Sequence, residues 1–190
     1  MWDLLLEWDQ KILIFFNNLG ADPYDTFWQT VTKYPPWIPL FLLFLTLILK
    51  SRPWREALGL LFVLGIMVLF VETFSNLTKL FFERLRPNND EAIKSLIRVL
   101  ANPSSYSFFS GHAAMSFSVT TFLYFSLRQR FRWIWICYIW PLFFIASRIY
   151  LGVHYPSDIL VGALFGLLSA WIFQALHSNL ILPYLKSNRP

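Results

Sequence analysis

Charged residues are scarce in this sequence. They make up 14% of its 190 residues, whereas about 25% is usual in a soluble domain. Apolar residues account for 56% of the chain, and the mean hydropathy is +0.49. This balance is too apolar for an ordinary soluble domain and indicates an integral membrane protein.

Cysteine is almost absent, since Cys137 is the only one. A single cysteine excludes an intramolecular disulfide and a cysteine cluster that could hold a metal ion. Carboxylates do not cluster in a metal-binding pattern either, so we expect no metal and no other cofactor. The basic residues flank the apolar runs and form no continuous stripe, which makes nucleic acid a poor partner and leaves the bilayer as the expected surroundings.

Five apolar stretches are candidates for membrane-spanning helices. A helix needs about 20 mostly apolar residues to cross the hydrocarbon core, and the stretches lie at about 37–49, 57–78, 111–127, 133–150 and 157–176. On the last of these, Gly162 and Gly166 form a small-xxx-small pair that would allow close helix packing. The predicted fold class is all-α, a polytopic helical membrane protein with about five transmembrane helices.

The first 36 residues have a different pattern. Within residues 1–18, charged side chains interrupt an apolar series with helical spacing, namely Leu5, Trp8, Ile12, Phe15 and Phe16. An amphipathic helix in the membrane interface fits this pattern better than a crossing, although insertion of residues 4–19 would give a sixth span. The sequence thus divides into an N-terminal interfacial region (1–36), a transmembrane domain (37–176) and a C-terminal tail (177–190).

Positive charge orients the chain in the membrane. Three basic residues lie in 50–55 and three more in 128–132, and basic loops usually stay in the cytoplasm. With five spans, the C-terminal tail is then cytoplasmic, while the N-terminus and the loops 79–111 and 148–157 lie outside. These outer loops are themselves rich in basic residues, which the rule does not explain, so their cations need another role.

Three of the outer cations, Lys79, Arg86 and Arg148, fall at helix ends or in the loops beside them. They would repel one another unless an anion lay between them, and the guanidinium fork suits phosphate oxygens. Ser110 and Gly111 open the third span, where a helix N-terminus presents free N–H groups. Gly111 allows close approach and Ser110 adds a hydroxyl, so these residues form a candidate phosphate site.

Two histidines accompany this phosphate site. His154 and Asp158 are four residues apart, so one helical turn would bring them together, and a carboxylate beside a histidine fixes its tautomer. A neutral His154 can then attack phosphorus, while a protonated His112 can deliver the proton that the leaving oxygen needs. The set suits phosphoryl transfer in which cations take the place of a metal ion.

The same residues fall into three motifs, K-x6-RP at 79–87, FSGH at 109–112 and SR-x5-H-x3-D at 147–158. In these motifs, and over about residues 57–176, the sequence resembles the type 2 phosphatidic acid phosphatase (PAP2) superfamily. The family pattern has proline where this sequence has Phe109. That proline mainly shapes a turn, so we expect little chemical consequence.

The resemblance implies a metal-independent lipid phosphatase that forms a covalent phosphohistidine on His154. It further implies that His112 is the general acid and that Asp158 orients His154. Phosphate would be bound by five residues, Lys79, Arg86, Ser110, Gly111 and Arg148. The substrate would be a membrane lipid phosphate, and four candidates suit such a site: undecaprenyl pyrophosphate, phosphatidylglycerol phosphate, phosphatidic acid and a lipid A phosphate.

The compact chain favours a bacterial enzyme of the inner (cytoplasmic) membrane, with its active site facing the periplasm or the cell exterior. Two other functions stay open: a non-catalytic protein that binds or transports lipid phosphates on the same scaffold and, less suited to a membrane chain, a vanadate-dependent oxidation. Four further expectations concern residues outside the core motifs: Arg84 at the membrane interface, Glu72 paired with a cation, Ser157 as a helix N-cap, and a short surface helix over 90–100.

Overall fold

Helices make up most of the described chain, residues 2–187 of a computed structural model. The eight α-helices are α1 (Trp2–Asn18), α2 (Asp25–Val31), α3 (Ile38–Ser51), α4 (Trp54–Phe82), α5 (Gly111–Leu127), α6 (Ile139–Tyr150), α7 (Pro156–Leu176) and α8 (Leu182–Ser187). Short 3-10 helices link several of them, and a π-helical turn, His177–Ile181, joins α7 to α8. Residues 2–187 contain no β-strand, so the predicted all-α class is confirmed.

Helix α5 is the centre of the bundle. Most of its side chains are buried, and α4, α6 and α7 pack around it, α7 most extensively. A Cβ added at Gly162 would lie 3.2 Å from the Cβ of Ala113, and one added at Gly166 would lie 3.0 Å from the backbone nitrogen of Ser118. The two glycines therefore let α7 lie directly on the backbone of α5, as the small-xxx-small pair predicted.

The close contact between α7 and α5 predicts opposite effects on stability for two glycine-to-alanine substitutions. Gly166→Ala is expected to lower stability, because overpacking a tight contact typically costs about 1–3 kcal/mol. Gly65→Ala is the matched control, because a Cβ at Gly65 would have nothing within 4 Å and alanine is the better helix former by about 1 kcal/mol. Melting temperatures in detergent check this: Gly166→Ala should melt below the wild type and Gly65→Ala at or above it. Equal melting temperatures for the two variants would contradict the packing argument.

Three helical segments are long and apolar enough to cross a membrane, namely Trp54–Asn89, Arg132–Tyr150 and Pro156–Ser187. A fourth results if the segments Asp22–Val31 and Pro35–Ser51, which meet at a bend of 67°, are counted as one span. Helix α5 adds 17 residues in the middle of the bundle. The count of five spans stays a prediction.

Helix α1 turns polar residues toward the bundle. Trp8 and Phe15, on its predicted apolar face, are exposed, whereas Asp9, Leu13 and Asn17 form a buried stripe at the contact with α6 and α7. These three residues are spaced four apart and so share one face of the helix. The exposed aromatic side chains suit a lipid environment, and the buried polar ones tie α1 to the rest of the protein.

The predicted surface helix over 90–100 is wrong. The segment contains only a short 3-10 turn, Lys94–Leu96. Ile93 is buried in a small apolar cluster beside α1, and the backbone nitrogen of Arg98 donates a hydrogen bond of 2.6 Å to Oδ1 of Asn17. Contacts with α1 thus supply backbone hydrogen bonds to this segment. In a helix, the segment would form such hydrogen bonds within itself.

Candidate active site

Side chains from the three motifs meet at one end of the bundle. Lys79 lies in the last turn of α4 and Arg148 in the last turn of α6. His112 is the second residue of α5, and Asp158 lies in the first turn of α7. Because the motifs occupy the ends of neighbouring helices, packing of the bundle alone brings these residues together.

His154 lies in the loop between α6 and α7 and is 1% exposed. Its Nε2 is 3.0 Å from Nη1 of Arg86, and its Nδ1 is 3.4 Å from Oδ2 of Asp158. An arginine only donates hydrogen bonds, so the Nε2 that faces Arg86 must carry the lone pair. The proton then sits on Nδ1, toward the carboxylate, and the lone pair of Nε2 points to Arg86.

The surroundings of His154 favour its neutral form. Burial, together with the positive charges of Arg86, Arg148 and Lys79, holds the pKa of His154 well below its ordinary value. A neutral imidazole is the form in which histidine acts as a nucleophile, since protonation removes the lone pair of Nε2. The surroundings therefore favour an unprotonated Nε2 on His154.

Two buried arginines frame the space in front of His154. Arg86 is held by hydrogen bonds from Nε and Nη2 to the carbonyl oxygen and Oγ of Ser105, at 2.6 and 2.9 Å. Arg148 donates from Nη1 to Oγ1 of Thr32 at 2.6 Å, and its buried Nε has no partner among the described residues. The two guanidinium groups lie close enough for their charges to repel, an arrangement that an anion between them would stabilise.

Gly111 brings the start of α5 close to Lys79. A Cβ added at Gly111 would lie 3.5 Å from Nζ of Lys79 and 2.9 Å from Oγ of Ser75. Ser110 is the N-cap of α5, where its Oγ accepts a hydrogen bond from the backbone nitrogen of Ala113 at 3.4 Å. The small Gly111 thus leaves room for the ammonium group beside the helix N-terminus, which favours anions as well.

His112 has no carboxylate beside it and is held by aromatic rings. Its imidazole stacks on Tyr34 with ring centroids 5.9 Å apart and contacts Phe144 at 5.3 Å. It interacts electrostatically with both His154 and Arg148. His112 therefore borders the same space as His154, but its imidazole packs against aromatic rings and that of His154 faces a carboxylate.

Several side chains that contact the site were not predicted as part of it. They include Thr32 on Arg148, Tyr34 on His112, and Ser107 and Arg84 on Asp158. Arg84 had a signal in the sequence, because it stands two residues before Arg86, and side chains two apart in an extended chain point the same way. The others come from loops far away in the sequence and have no motif of their own.

Two minor expectations concern residues whose partners differ from the prediction. The Arg84 side chain does not reach out to a headgroup but forms ion pairs at 2.7 Å with Asp9 and Asp158. Ser157 is the second residue of α7, and the N-cap is Tyr155. Glu72 is exposed; it accepts a hydrogen bond of 3.0 Å from the Nδ2 of Asn76 one turn further along and interacts electrostatically with Lys79, so its pairing with a cation stays a prediction.

The sequence model of the PAP2 superfamily matches residues 56–181, a range that includes all three motifs. The chain belongs to the PAP2 superfamily. A relative of this PAP2 protein, the lipid A 4'-phosphatase of Bacteroides thetaiotaomicron, is 30% identical over 194 residues, covering 100% of this chain and 85% of the relative. The undecaprenyl-diphosphatase of Sulfolobus acidocaldarius is 31% identical over 137 residues, covering 72% of this chain and 59% of that protein.

A solved structure has the same fold. The PAP2-type phosphatidylglycerolphosphate phosphatase of Bacillus subtilis superposes with a TM-score of 0.72 at 21% sequence identity, covering 93% of this chain and 88% of the other. Together with the long apolar helices, this likeness identifies the PAP2 chain as a helical membrane protein.

Proposed function

We propose that the protein is a membrane lipid phosphatase that works through a phosphohistidine on His154. The observation that carries this proposal is the environment of His154: a neutral, buried imidazole with a carboxylate at Nδ1, Arg86 at Nε2, and the positive charges of Arg148 and Lys79 acting on it. A buried histidine with a structural role would not need three cations acting on it. An arriving phosphate gives those cations a partner and brings phosphorus next to Nε2.

The reaction has two steps. Nε2 of His154 attacks phosphorus, the bond between phosphorus and the lipid oxygen breaks, and His112 gives its proton to that oxygen. Water then attacks the phosphohistidine, the N–P bond breaks, and the proton of the water passes to His112. Asp158 stabilises the positive charge that His154 carries in the intermediate, so both histidines are restored when phosphate leaves.

Phosphate binding is assigned to Lys79, Arg86, Arg148, Ser110 and Gly111. The three cations stabilise the equatorial oxygens in the transition state. Gly111 belongs to the first turn of α5, whose free N–H groups add positive partial charge. Hydrogen bonds from Arg86 to Ser105 and from Arg148 to Thr32 hold both guanidinium groups in the site.

An apolar cleft next to His112 suits the lipid part of the substrate. The cleft has a volume of about 300 Å³ and lies between α3, α4, α5 and α6, lined by Leu61, Val68, Met115, Trp140 and their neighbours. It reaches Tyr34, whose ring stacks on His112. A hydrocarbon chain in this cleft would place its phosphate at the cations.

The substrate class is a lipid-linked phosphate or pyrophosphate. One relative, which matches the full length of this chain, is named a lipid A 4'-phosphatase. Another is named an undecaprenyl-diphosphatase. These names put a lipid A phosphate first and undecaprenyl pyrophosphate second among the four candidates. Phosphatidylglycerol phosphate and phosphatidic acid complete the set to be compared.

The membrane arrangement is part of the proposal. Five spans place the basic segments 50–55 and 128–132 in the cytoplasm, and the site then faces the periplasm or the cell exterior of a bacterial inner membrane. Residues 1–36 form the N-terminal region at the outer surface and 177–190 the cytoplasmic tail. Lipid phosphates of the outer leaflet would then reach the cations directly.

A substrate panel tests the proposed activity. Purified protein in detergent is incubated with each of the four lipids, with and without EDTA, and released phosphate is measured. We expect release from at least one lipid at a rate that EDTA leaves unchanged, because Lys79, Arg86 and Arg148 supply the positive charge. Tight binding of a lipid phosphate without any release would instead support a binding or transport protein. Activity that requires an added metal ion would contradict the mechanism.

A further inference from the structure

Arg84 bridges two carboxylates that come from opposite ends of the sequence. Its Nη2 donates to Oδ2 of Asp9 and its Nη1 to Oδ1 of Asp158, both at 2.7 Å. Nη1 also lies 2.7 Å from Oγ of Ser157. The guanidinium carbon stacks 4.0 Å above the ring of Tyr155. The guanidinium group of Arg84 is therefore held on its face by an aromatic ring and at its edges by hydrogen bonds.

Asp9 contributes more than an ion pair. Its Oδ1 accepts a hydrogen bond of 2.8 Å from the backbone nitrogen of Ser157, and its Oδ2 accepts one of 2.5 Å from the hydroxyl of the same residue. Ser157 is the second residue of α7, where backbone N–H groups have no partner within the helix. A carboxylate of α1 thus caps the first turn of α7, the turn that carries Asp158.

The carboxylate of Asp158 receives hydrogen bonds from Ser107, Tyr155 and Arg84. Its Oδ2 accepts hydrogen bonds from the hydroxyl of Ser107 and the backbone nitrogen of Tyr155, and lies near His154. Its Oδ1 accepts one from Arg84. Asp158 is 0% exposed, so without Arg84 one oxygen would be buried and unpaired, and the carboxylate would turn to find another donor.

We propose that Arg84 and Asp9 are positioning residues that hold Asp158 against Nδ1 of His154. Helix α1, which lies outside the segment matched by the superfamily, thereby becomes part of the active site. This inference rests on the proposed function, because Asp158 matters only if His154 reacts. Neither residue touches the substrate; both act through the carboxylate.

A purely structural role for these residues makes a different prediction. Asn17 also anchors α1, through a hydrogen bond of 2.8 Å from its Nδ2 to the carbonyl oxygen of Tyr150, but it does not contact Asp158. Glu7 carries a charge one turn from Lys11 on the exposed side of the same helix. Asn17→Ala therefore reports loss of anchoring alone, and Glu7→Gln reports loss of an acidic charge alone.

The test compares kcat and KM of Arg84→Gln, Arg84→Lys and Asp9→Asn with those of the two controls, on a lipid from which the wild type releases phosphate. We expect Arg84→Gln to lower kcat by about 10- to 100-fold with KM within about twofold, the size of a lost hydrogen bond to a charged group. Arg84→Lys should recover part of kcat, because it keeps the charge but cannot bridge both carboxylates. Asp9→Asn should lower kcat less than Arg84→Gln.

The combination of Arg84→Gln with Asp9→Asn should be little worse than Arg84→Gln alone, because both act through one contact. Glu7→Gln should keep wild-type kcat, and Asn17→Ala should lower the melting temperature with little change in kcat. The inference would be overturned if the Arg84 and Asp9 variants lost no more kcat than Asn17→Ala does, or if they changed only KM. Either result would leave the phosphatase function standing. A wild type without phosphate release would overturn the proposed function and the inference together.

Discussion

Replacing His154 with alanine is expected to lower phosphate release on the order of 10⁴- to 10⁶-fold, the loss seen when a nucleophile is removed from a catalytic unit. His154 is the histidine whose Nδ1 faces a carboxylate and whose Nε2 faces Arg86. Alanine leaves no lone pair at this position, and a water molecule there lacks the basicity of an imidazole. The remaining rate would come from phosphate binding and transition-state stabilisation by the arginines.

His177→Ala is the matched control for this substitution. His177 is also buried, at 2% exposure, but it lies at the start of the π-helical turn after α7, at the opposite end of that helix from Asp158. We expect wild-type activity for His177→Ala and nearly none for His154→Ala, measured at equal protein concentration after confirming that both variants elute as the wild type does. Retention of more than about one per cent of activity by His154→Ala would contradict the nucleophile assignment.

The intermediate itself gives an independent readout. Brief incubation of the wild type with a lipid labelled in its phosphate should leave label on the protein through a P–N bond, which is labile in acid and stable in alkali. His154→Ala should bind no label in this way. Label that is stable in acid would indicate a phosphate ester on another residue and would remove His154 from the covalent step.

Much of the fold follows from local signals in the sequence. Helix α5 has the predicted limits, 111–127, because Ser110 caps its start and arginines follow its end. Helix α7 begins at Pro156, which fits the first turn of a helix. The apolar runs and their end residues therefore suffice to place these helices without knowledge of their neighbours.

The role of α1 could not be predicted in the same way. Hydrophobic spacing identified the outward face of α1, with Trp8 and Phe15, but gave no reason for Asp9 and Asn17 to be buried. Their partners are the backbone and side chains of residues more than 70 positions away. A buried polar residue is satisfied by whatever lies opposite in the folded protein, and that information is not local.

The arrangement of the motif residues could be predicted from the sequence only in part. The four-residue spacing of His154 and Asp158 predicted a contact across one helical turn. The structure has the contact at 3.4 Å, but His154 lies in the loop before α7 and not in a helical turn. The spacing of Lys79 and Arg86 gave no indication that Glu83, with φ 45°, ends α4 between them. Glu83 turns the chain so that the side chains of Arg84 and Arg86 both point into the protein. The contact of Arg84 with Asp158 was not predicted because this turn was not predicted.

Arg148→Met is expected to lower kcat/KM by about 10³- to 10⁵-fold, the contribution of an arginine that stabilises a transferring phosphoryl group. Arg148 is 6% exposed, and its Nε has no hydrogen-bond partner within the described part of the chain. A fixed donor without a partner beside the reactive histidine is ready to bind a phosphate oxygen. Arg148→Lys should recover at most a small part of the activity, because an ammonium group lacks the planar fork.

The same substitution should leave the protein as stable as the wild type or make it more stable. Arg148 is a buried cation close to Arg86, and replacing a poorly compensated buried charge with an apolar side chain of similar size can stabilise by about 1–4 kcal/mol. If Arg148 serves to bind phosphate, Arg148→Met therefore lowers kcat/KM, while the melting temperature of the same preparation stays the same or rises. Arg98→Met is the control. Arg98 forms its ion pairs with Asp22 and Asp25, which are not among the residues assigned to catalysis or phosphate binding, so its loss should lower stability and spare catalysis. A fall in melting temperature for Arg148→Met that matches its loss of activity would mean that Arg148 supports the fold, and the phosphate would then have to be held by Lys79 and Arg86 alone.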